Sequence, residues 1–295
     1  MFNVLYVHLM LNISDSWSLQ GGRISMDNQI KNHWTTIIRL TYLIGKGSLV
    51  ETKKYLKKCI YTVGMGNNDY INNYFLPKYY NTSSVYTPEQ YAEALVEQYS
   101  RQLQVRHQYS LTQLQTLWFY TNIIKRKRNK TLTSSMDPQE LYKSGARMFG
   151  VFAAGDSGCT PGMMAEFGMN SCVDEVNSAV MLFNSRLNMT LNDLNNRFDD
   201  AKFILIEGSR EYPNDINVTD TPCCGGSSTS DKGQCAPNQV PCSNRQNYYF
   251  WDAFHPTERI NVIAGKRAYE KLTSFEAFRT IALSKDKETG YISVA

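Results

Sequence analysis

An aspartate and a histidine near the end of the chain have the types and spacing that proton transfer needs. Asp252 and His255 are separated by two residues, which lets the carboxylate accept a hydrogen bond from Nδ1 of the imidazole. Such a bond fixes the tautomer and leaves Nε2 to take a proton from a nucleophile. The spacing therefore predicts an acid–base pair. A surface loop whose histidine only titrates is the alternative, because short patterns of this kind are common by chance.

A second group of polar residues follows a short apolar run. Gly66-Asn67-Asn68-Asp69 begins with a glycine, which lets a substrate approach the backbone. The side-chain NH₂ of Asn68 is suited to donate to a developing oxyanion. We therefore expect Gly66 and Asn68 to contribute to an oxyanion hole. A strand-to-helix turn without a catalytic role is the alternative, since Asn and Asp also favour turns and helix caps.

The elements that position these residues alternate between strand-like and helix-like patterns. Such alternation predicts an α/β fold, with a parallel sheet between two layers of helices. Functional sites in these folds gather where the carboxyl ends of the strands open into loops. The predicted strands lie at 59–66, 147–155 and 202–206, and the predicted helices lie at 30–40, 87–103, 176–194 and after Pro256.

Composition excludes several classes of function. The chain has 295 residues and a formal net charge of +4, much of it from the basic stretch 125–130, so it offers no broad basic face for nucleic acid. No apolar stretch has the length of a membrane span. Residues 1–11 are apolar but lack a preceding Lys or Arg and a small-residue cleavage site, so they make a poor signal peptide. Oligomeric state is not readable from these features.

Cysteine usage favours disulfides over a metal site. Six of the seven cysteines lie in loop-like surroundings, and their spacing does not match a zinc site. Sequence alone leaves the pairing of these cysteines open. Five Asn-x-Ser/Thr triplets are compatible with export and glycosylation, and they begin at Asn12, Asn81, Asn129, Asn188 and Asn217.

Several longer stretches, in order along the chain, resemble the GDSL esterase/lipase family, the plant-type SGNH hydrolases. The resemblance covers most of 20–275 as one domain, interrupted by an insert at about 105–140. Residues 1–19 match poorly, and 276–295 form a tail. The matching stretches include GGRISM (21–26), YTVGMGNNDYINNYF (61–75), YTPEQY (86–91), SGAR (144–147), GCTP (158–161), DAKF (200–203), TPCCG (221–225) and FWDAFHPTE (250–258).

The resemblance implies a secreted hydrolase that acts on carboxylic ester bonds of lipids or small esters and uses no cofactor. His255 would be the general base, Asp252 its orienting acid, and Asn68 an oxyanion donor. The family's nucleophilic serine follows its first strand, and both precede the stretch that matches here. We therefore expect a sheet without that strand, an open edge beside the strand ending at Gly66, and impaired catalysis.

One serine lies in a short stretch that looks like the family's missing nucleophile block. Gly155-Asp156-Ser157-Gly158 spells the first letters of the family motif, at the end of the second predicted strand. In the resemblance, however, this stretch belongs to the loop that leads to Cys159. Ser157 is therefore only a weak candidate nucleophile, because a triad is defined by mutual geometry.

Two further interpretations stay open at this stage. In the first, the chain is a catalytically inactive relative that binds an acyl or glycan ligand in the remaining cleft; in the second, it is an imperfect gene model. In the second case the first exons are missing and the insert at about 105–140 is a retained intron.

Overall fold

A four-stranded parallel sheet forms the centre of the molecule. The structure is a computed structural model that describes residues 5–8, 25–76, 80–103, 145–208, 212–225 and 233–275. The strands lie in chain order across the sheet, and each is parallel to its neighbour. They are β1 (Leu5–His8), β2 (Ile60–Gly64), β3 (Met148–Phe152) and β4 (Lys202–Ile206).

The edge of β2 that we expected to be open is occupied by β1. Leu5 lies opposite Tyr61, and His8 lies opposite Gly64. This pairing satisfies backbone groups of β2 that an open edge would leave without partners in the sheet. The residue types of β1, Leu-Tyr-Val-His, suit a short strand. The expectation of an open edge beside β2 is thus corrected, because part of the poorly matched segment 1–19 forms a strand there.

Helices cover both faces of the sheet, as the alternating pattern predicts. The helices are α1 (Met26–Leu43), α2 (Leu49–Leu56), α3 (Thr82–Val85), α4 (Pro88–Leu103), α5 (Pro161–Glu166), α6 (Asp174–Arg197) and α7 (Glu258–Thr273). A π-helical turn, Asp69–Tyr74, follows β2. Two short strands, β5 (Val218–Pro222) and β6 (Tyr248–Phe250), pair outside the main sheet.

The alternation of side chains along the strands creates two cores. Tyr61, Phe149 and Phe203 belong to a large core with residues of α1, α4 and α6. Ile60 and Ile204, on the opposite face, pack in a smaller core with residues of α7. Successive strand residues point to opposite faces, so the two cores place helices on both sides of one sheet. The three-layer α/β/α prediction is confirmed.

Local signals locate α4 closely. The Thr87 hydroxyl accepts a hydrogen bond from the Gln90 backbone N–H at 3.3 Å, and the Gln90 side chain accepts from the Thr87 N–H at 2.9 Å. This reciprocal pair is a capping box, and Pro88 occupies the first helical position. The predicted insert at about 105–140 and the tail 276–295 lie outside the described residues.

None of the helices in the described ranges combines the length and apolar character that a membrane crossing requires.

Gly66 is a point where the fold favours glycine over any larger residue. Its φ is 111°, and a Cβ there would lie 3.0 Å from Cε1 of Phe183. We expect Gly66→Ala to lower the free energy of unfolding by about 1–3 kcal/mol, from backbone strain and overpacking. Urea unfolding followed by circular dichroism measures this change.

The matched control is Gly265→Ala in α7, where nothing lies within 4 Å of an added Cβ. Alanine in a helix interior is more favourable than glycine, so this variant should gain about 0.5–1 kcal/mol. Equal effects of the two substitutions would show that an added Cβ at Gly66 causes neither backbone strain nor overpacking.

Candidate active site

The loop between β6 and α7, residues 251–257, holds a buried carboxylate against an imidazole, and we call it the acid–base loop. Nδ1 of His255 lies 2.8 Å from Oδ1 and 2.9 Å from Oδ2 of Asp252. The backbone N–H groups of Phe254 and His255 also donate to Oδ1, at 2.9 and 2.8 Å. The Asp252 side chain is 7% exposed and the His255 side chain is 53% exposed. The imidazole is therefore fixed through Nδ1 at the surface, with Nε2 available for proton transfer.

The two groups shift each other's pKa in opposite directions. Burial alone would raise the pKa of the Asp252 carboxyl. The hydrogen bonds from the His255 side chain and from the two backbone N–H groups outweigh burial and hold this pKa below its ordinary value. The hydrogen bond to Asp252 raises the pKa of His255, against the opposing effect of burial. The pair thus favours an ionised aspartate and a more basic histidine.

Backbone hydrogen bonds from three separate segments hold this loop in place. The Gly162 N–H, at the start of α5, donates to the Ala253 carbonyl at 2.8 Å. The Ala253 N–H donates to the Gly233 carbonyl, and the Cys224 N–H donates to the Trp251 carbonyl. The shape of the loop therefore depends on contacts from outside it.

Disulfides tie down the segments that make these contacts. The bonds are Cys159–Cys172, Cys223–Cys242 and Cys224–Cys235. The first spans α5, which contains Gly162. The other two anchor Cys223 and Cys224, which follow β5, and the Cys224 N–H contacts the acid–base loop. The prediction of disulfides from the cysteine surroundings is confirmed. The seventh cysteine, Cys59, is buried, and its Sγ lies 3.6 Å from the Tyr55 carbonyl.

The loop after β2 presents a side-chain amide in a defined orientation. Asn68 is half-buried, and its Oδ1 accepts a hydrogen bond from Nδ2 of Asn72 at 3.2 Å. With its oxygen engaged, the amide has its NH₂ group left to donate to a ligand. Gly66 is buried two residues earlier. The geometry is therefore compatible with the predicted oxyanion donor.

Asn67 has a structural role that the sequence did not reveal. Its Oδ1 accepts from the Gly155 N–H at 2.9 Å and from the Ser157 hydroxyl at 3.4 Å. These contacts join the loops that follow β2 and β3. The partners lie 88 and 90 residues away along the chain, so no local pattern could reveal these contacts. The one signal that could have suggested them was that both loops follow adjacent predicted strands.

Ser157 is held as a structural residue. It is 3% exposed, and its hydroxyl lies 3.4 Å from Asn67 Oδ1 and 3.3 Å from the Gly155 carbonyl. Among the described residues, no serine hydroxyl is hydrogen-bonded to His255. These contacts support the interpretation of Ser157 as part of a loop and disfavour it as the nucleophile.

Three of the predicted glycosylation asparagines lie at the surface. Asn81, Asn188 and Asn217 are all exposed. Asn12 and Asn129 lie outside the described residues.

Comparisons with known proteins relate the chain to a family. Residues 28–268 match the family described as GDSL-like Lipase/Acylhydrolase. The GDSL esterase/lipase At1g29670 of Arabidopsis thaliana is 36% identical over 267 residues, covering 88% of this chain and 63% of the relative. At5g45670, a GDSL esterase/lipase of the same plant, is 33% identical, with 93% of this chain and 68% of the relative covered. The chain thus spans about two thirds of the length of these relatives.

The matched region contains β2, β3 and β4, the Asn68 loop and the Asp252–His255 pair. The chain therefore belongs to the GDSL-like lipase/acylhydrolase family.

Proposed function

We propose that this chain is a hydrolase of carboxylic esters, from lipids or small molecules, that uses a Ser-His-Asp mechanism without a cofactor. The observation that carries the proposal is that Nδ1 of His255 lies within hydrogen-bond distance of both oxygens of the buried Asp252 carboxylate. A surface histidine that only titrates needs no such partner. Membership of the family supports the reaction class.

Each described residue has a separate task in this mechanism. His255 Nε2 takes the proton of the attacking hydroxyl and later returns it to the leaving alkoxide. Asp252 keeps the imidazole in the required tautomer and stabilises the imidazolium that forms. The Asn68 NH₂ donates to the oxyanion of the tetrahedral intermediate. Gly66 gives the Asn68 loop its shape, because its φ of 111° and the ring of Phe183 beside it disfavour any residue with a Cβ.

The nucleophile is the part that the described residues do not supply. Ser157 is buried and its hydroxyl is engaged with Asn67 and Gly155. We therefore propose that catalysis by this chain is impaired. The same observation favours a second candidate function, in which the chain binds an ester or acyl ligand in the remaining cleft and does not turn it over.

We also propose that the protein is exported. The three disulfides support this location, because such bonds persist in oxidising compartments. Exposed asparagines in glycosylation triplets are compatible with it.

Ester hydrolysis by single-residue variants tests the proposal. We expect slow turnover of p-nitrophenyl butyrate by the purified chain. His255→Ala should lower kcat/KM by about 100-fold or more, because it removes the general base. Ser157→Ala should leave kcat/KM unchanged. Initial rates and labelling by a fluorophosphonate probe provide the measurements.

The outcomes separate the candidates. Loss of activity and labelling in Ser157→Ala would make that serine the nucleophile, against its geometry. Turnover that survives His255→Ala would refute the acid–base role. Saturable ester binding without turnover in the parent chain would support the ligand-binding candidate and exclude the hydrolase.

Asp252→Asn should lower the pKa of His255, because the hydrogen-bonded carboxylate that raises it is lost. NMR titration of the imidazole resonances measures this shift. If rate follows the neutral base, the acid limb of the pH–rate profile should move to lower pH in the variant. His33 is an internal control, since burial lowers its pKa to about 4 for a reason unrelated to Asp252.

The same pair makes stability depend on pH. The His255 contribution is fully present below its ordinary pKa of 6.5 and is lost as pH rises through the raised value. The Asp252 contribution is present above its ordinary pKa of 3.8 and is lost as pH falls through the lowered value. The stability difference between the parent and Asp252→Asn should therefore be largest between these two ordinary values. A difference independent of pH would contradict the ionic character of the contact.

A further inference from the structure

The turn between α1 and α2 exposes an unusual number of apolar side chains. Leu43 is 78% exposed, Val50 is 65%, Tyr42 is 45% and Ile44 is 43%. We call residues 42–50 the α1–α2 turn patch. Scattered exposed apolar residues are normal in folded proteins, whereas a concentration of them in one turn indicates an interaction surface.

Hydrogen bonds give this turn a defined shape. The Gly47 N–H donates to the Thr41 carbonyl at 2.8 Å, and the Ser48 N–H donates to the Gly45 carbonyl at 2.7 Å. The Thr52 hydroxyl also donates to that of Thr41 at 3.2 Å, which joins the end of α1 to the start of α2. The apolar side chains therefore project from a fixed turn.

Basic residues flank the patch in sequence. Residues 39–58 contain six Lys or Arg residues and one acidic residue, Glu51, although the whole chain has a formal net charge of only +4. Glu51 is itself paired with Lys54 at 2.8 Å. The segment is thus a second basic region besides 125–130. The basic residues are Arg39, Lys46, Lys53, Lys54, Lys57 and Lys58.

The patch and the acid–base loop lie toward opposite ends of the sheet. His33, in the middle of α1, contacts Tyr61 near the start of β2, with ring centroids 5.5 Å apart. Lys53 and Leu56 of α2 lie beside Gly145, which precedes the start of β3, so the helix that follows the patch is at the amino side of the sheet. His255 and Gly66, in contrast, belong to loops on the carboxyl side. A surface that covered the patch would leave the candidate active site uncovered.

We propose that the α1–α2 turn patch docks on an anionic lipid surface. Aliphatic and tyrosine side chains enter the boundary between headgroups and acyl chains, while the surrounding lysines are attracted to anionic headgroups. A second copy of this chain fits the patch less well, because two basic faces would repel each other. This inference does not depend on the proposed hydrolysis, since binding is measured without turnover.

Vesicle flotation tests the proposal with the purified chain. We expect binding to phosphatidylcholine vesicles that contain phosphatidylserine, weaker binding in high salt, and much weaker binding to pure phosphatidylcholine. Val50→Asp should reduce the binding constant at least about tenfold, since it places a carboxylate in the apolar contact. Aspartate in the first turn of α2 is compatible with the helix, so this variant should fold. Val240→Asp is the matched control, because Val240 is 87% exposed at a distant place in the sequence.

A second pair of variants tests the contribution of positive charge to vesicle binding. Lys46→Asn should weaken binding about fivefold through the loss of one positive charge near the surface. Lys46 has a φ of 47°, a conformation that asparagine tolerates well, so the turn should keep its shape. Lys266→Asn, at an exposed position of α7, should have no effect.

Three results would overturn the proposal. The first is equal binding to both kinds of vesicle, or no binding to either. The second is an equal effect of Val50→Asp and Val240→Asp. The third is a dimer in sedimentation that Val50→Asp dissociates while the parent chain does not bind vesicles, which would assign the patch to a second copy.

Discussion

A buried charge constrains the arrangement of the candidate site. The Asp252 carboxylate is almost inaccessible to water, so it remains ionised only while donors surround it. Its own loop provides these donors, from the His255 ring and from two backbone N–H groups. The loop keeps that tight conformation because Gly162, Gly233 and Cys224 bond to its backbone. The orientation of His255 is thus determined by segments far from it in sequence.

Gly162 shows how closely these segments approach. A Cβ at this position would overlap the ring of Phe254, the residue between Ala253 and His255. A glycine in the first turn of α5 is therefore part of what allows the acid–base loop to lie beside it. The disulfide Cys159–Cys172 spans this helix. Several segments of the chain together position His255, whereas the proton transfer itself involves only the side chains of Asp252 and His255.

The sequence was most informative where structure is determined locally. The capping box at Thr87 located the start of α4, and the apolar run 202–206 coincides with β4. The spacing of Asp252 and His255 predicted their contact, because both lie in one tight loop. Family resemblance added the roles of these residues, which spacing alone did not establish.

Features that depend on distant partners were not predictable in the same way. The pairing of β1 with β2 joins segments more than fifty residues apart, and the partners of Asn67 come from another loop. Cysteine pairing depends on which loops meet in space. The basic character of 39–58 was visible in the sequence, but its significance depends on the exposure of Leu43 and Val50 in the folded chain.

The parallel sheet also has a consequence for how the protein reaches its native state. Each strand pairs with one far away in sequence: Leu5 with Tyr61, Ile60 with Met148, and Met148 with Lys202. Long loops must close before such pairs contribute any stabilisation, and folding rates fall as the sequence separation of contacts grows. The disulfides link residues only 11, 13 and 19 positions apart and do not shorten these loops. Folding should therefore be limited by assembly of the sheet, and unpaired strands are the surfaces most exposed to aggregation until it is complete.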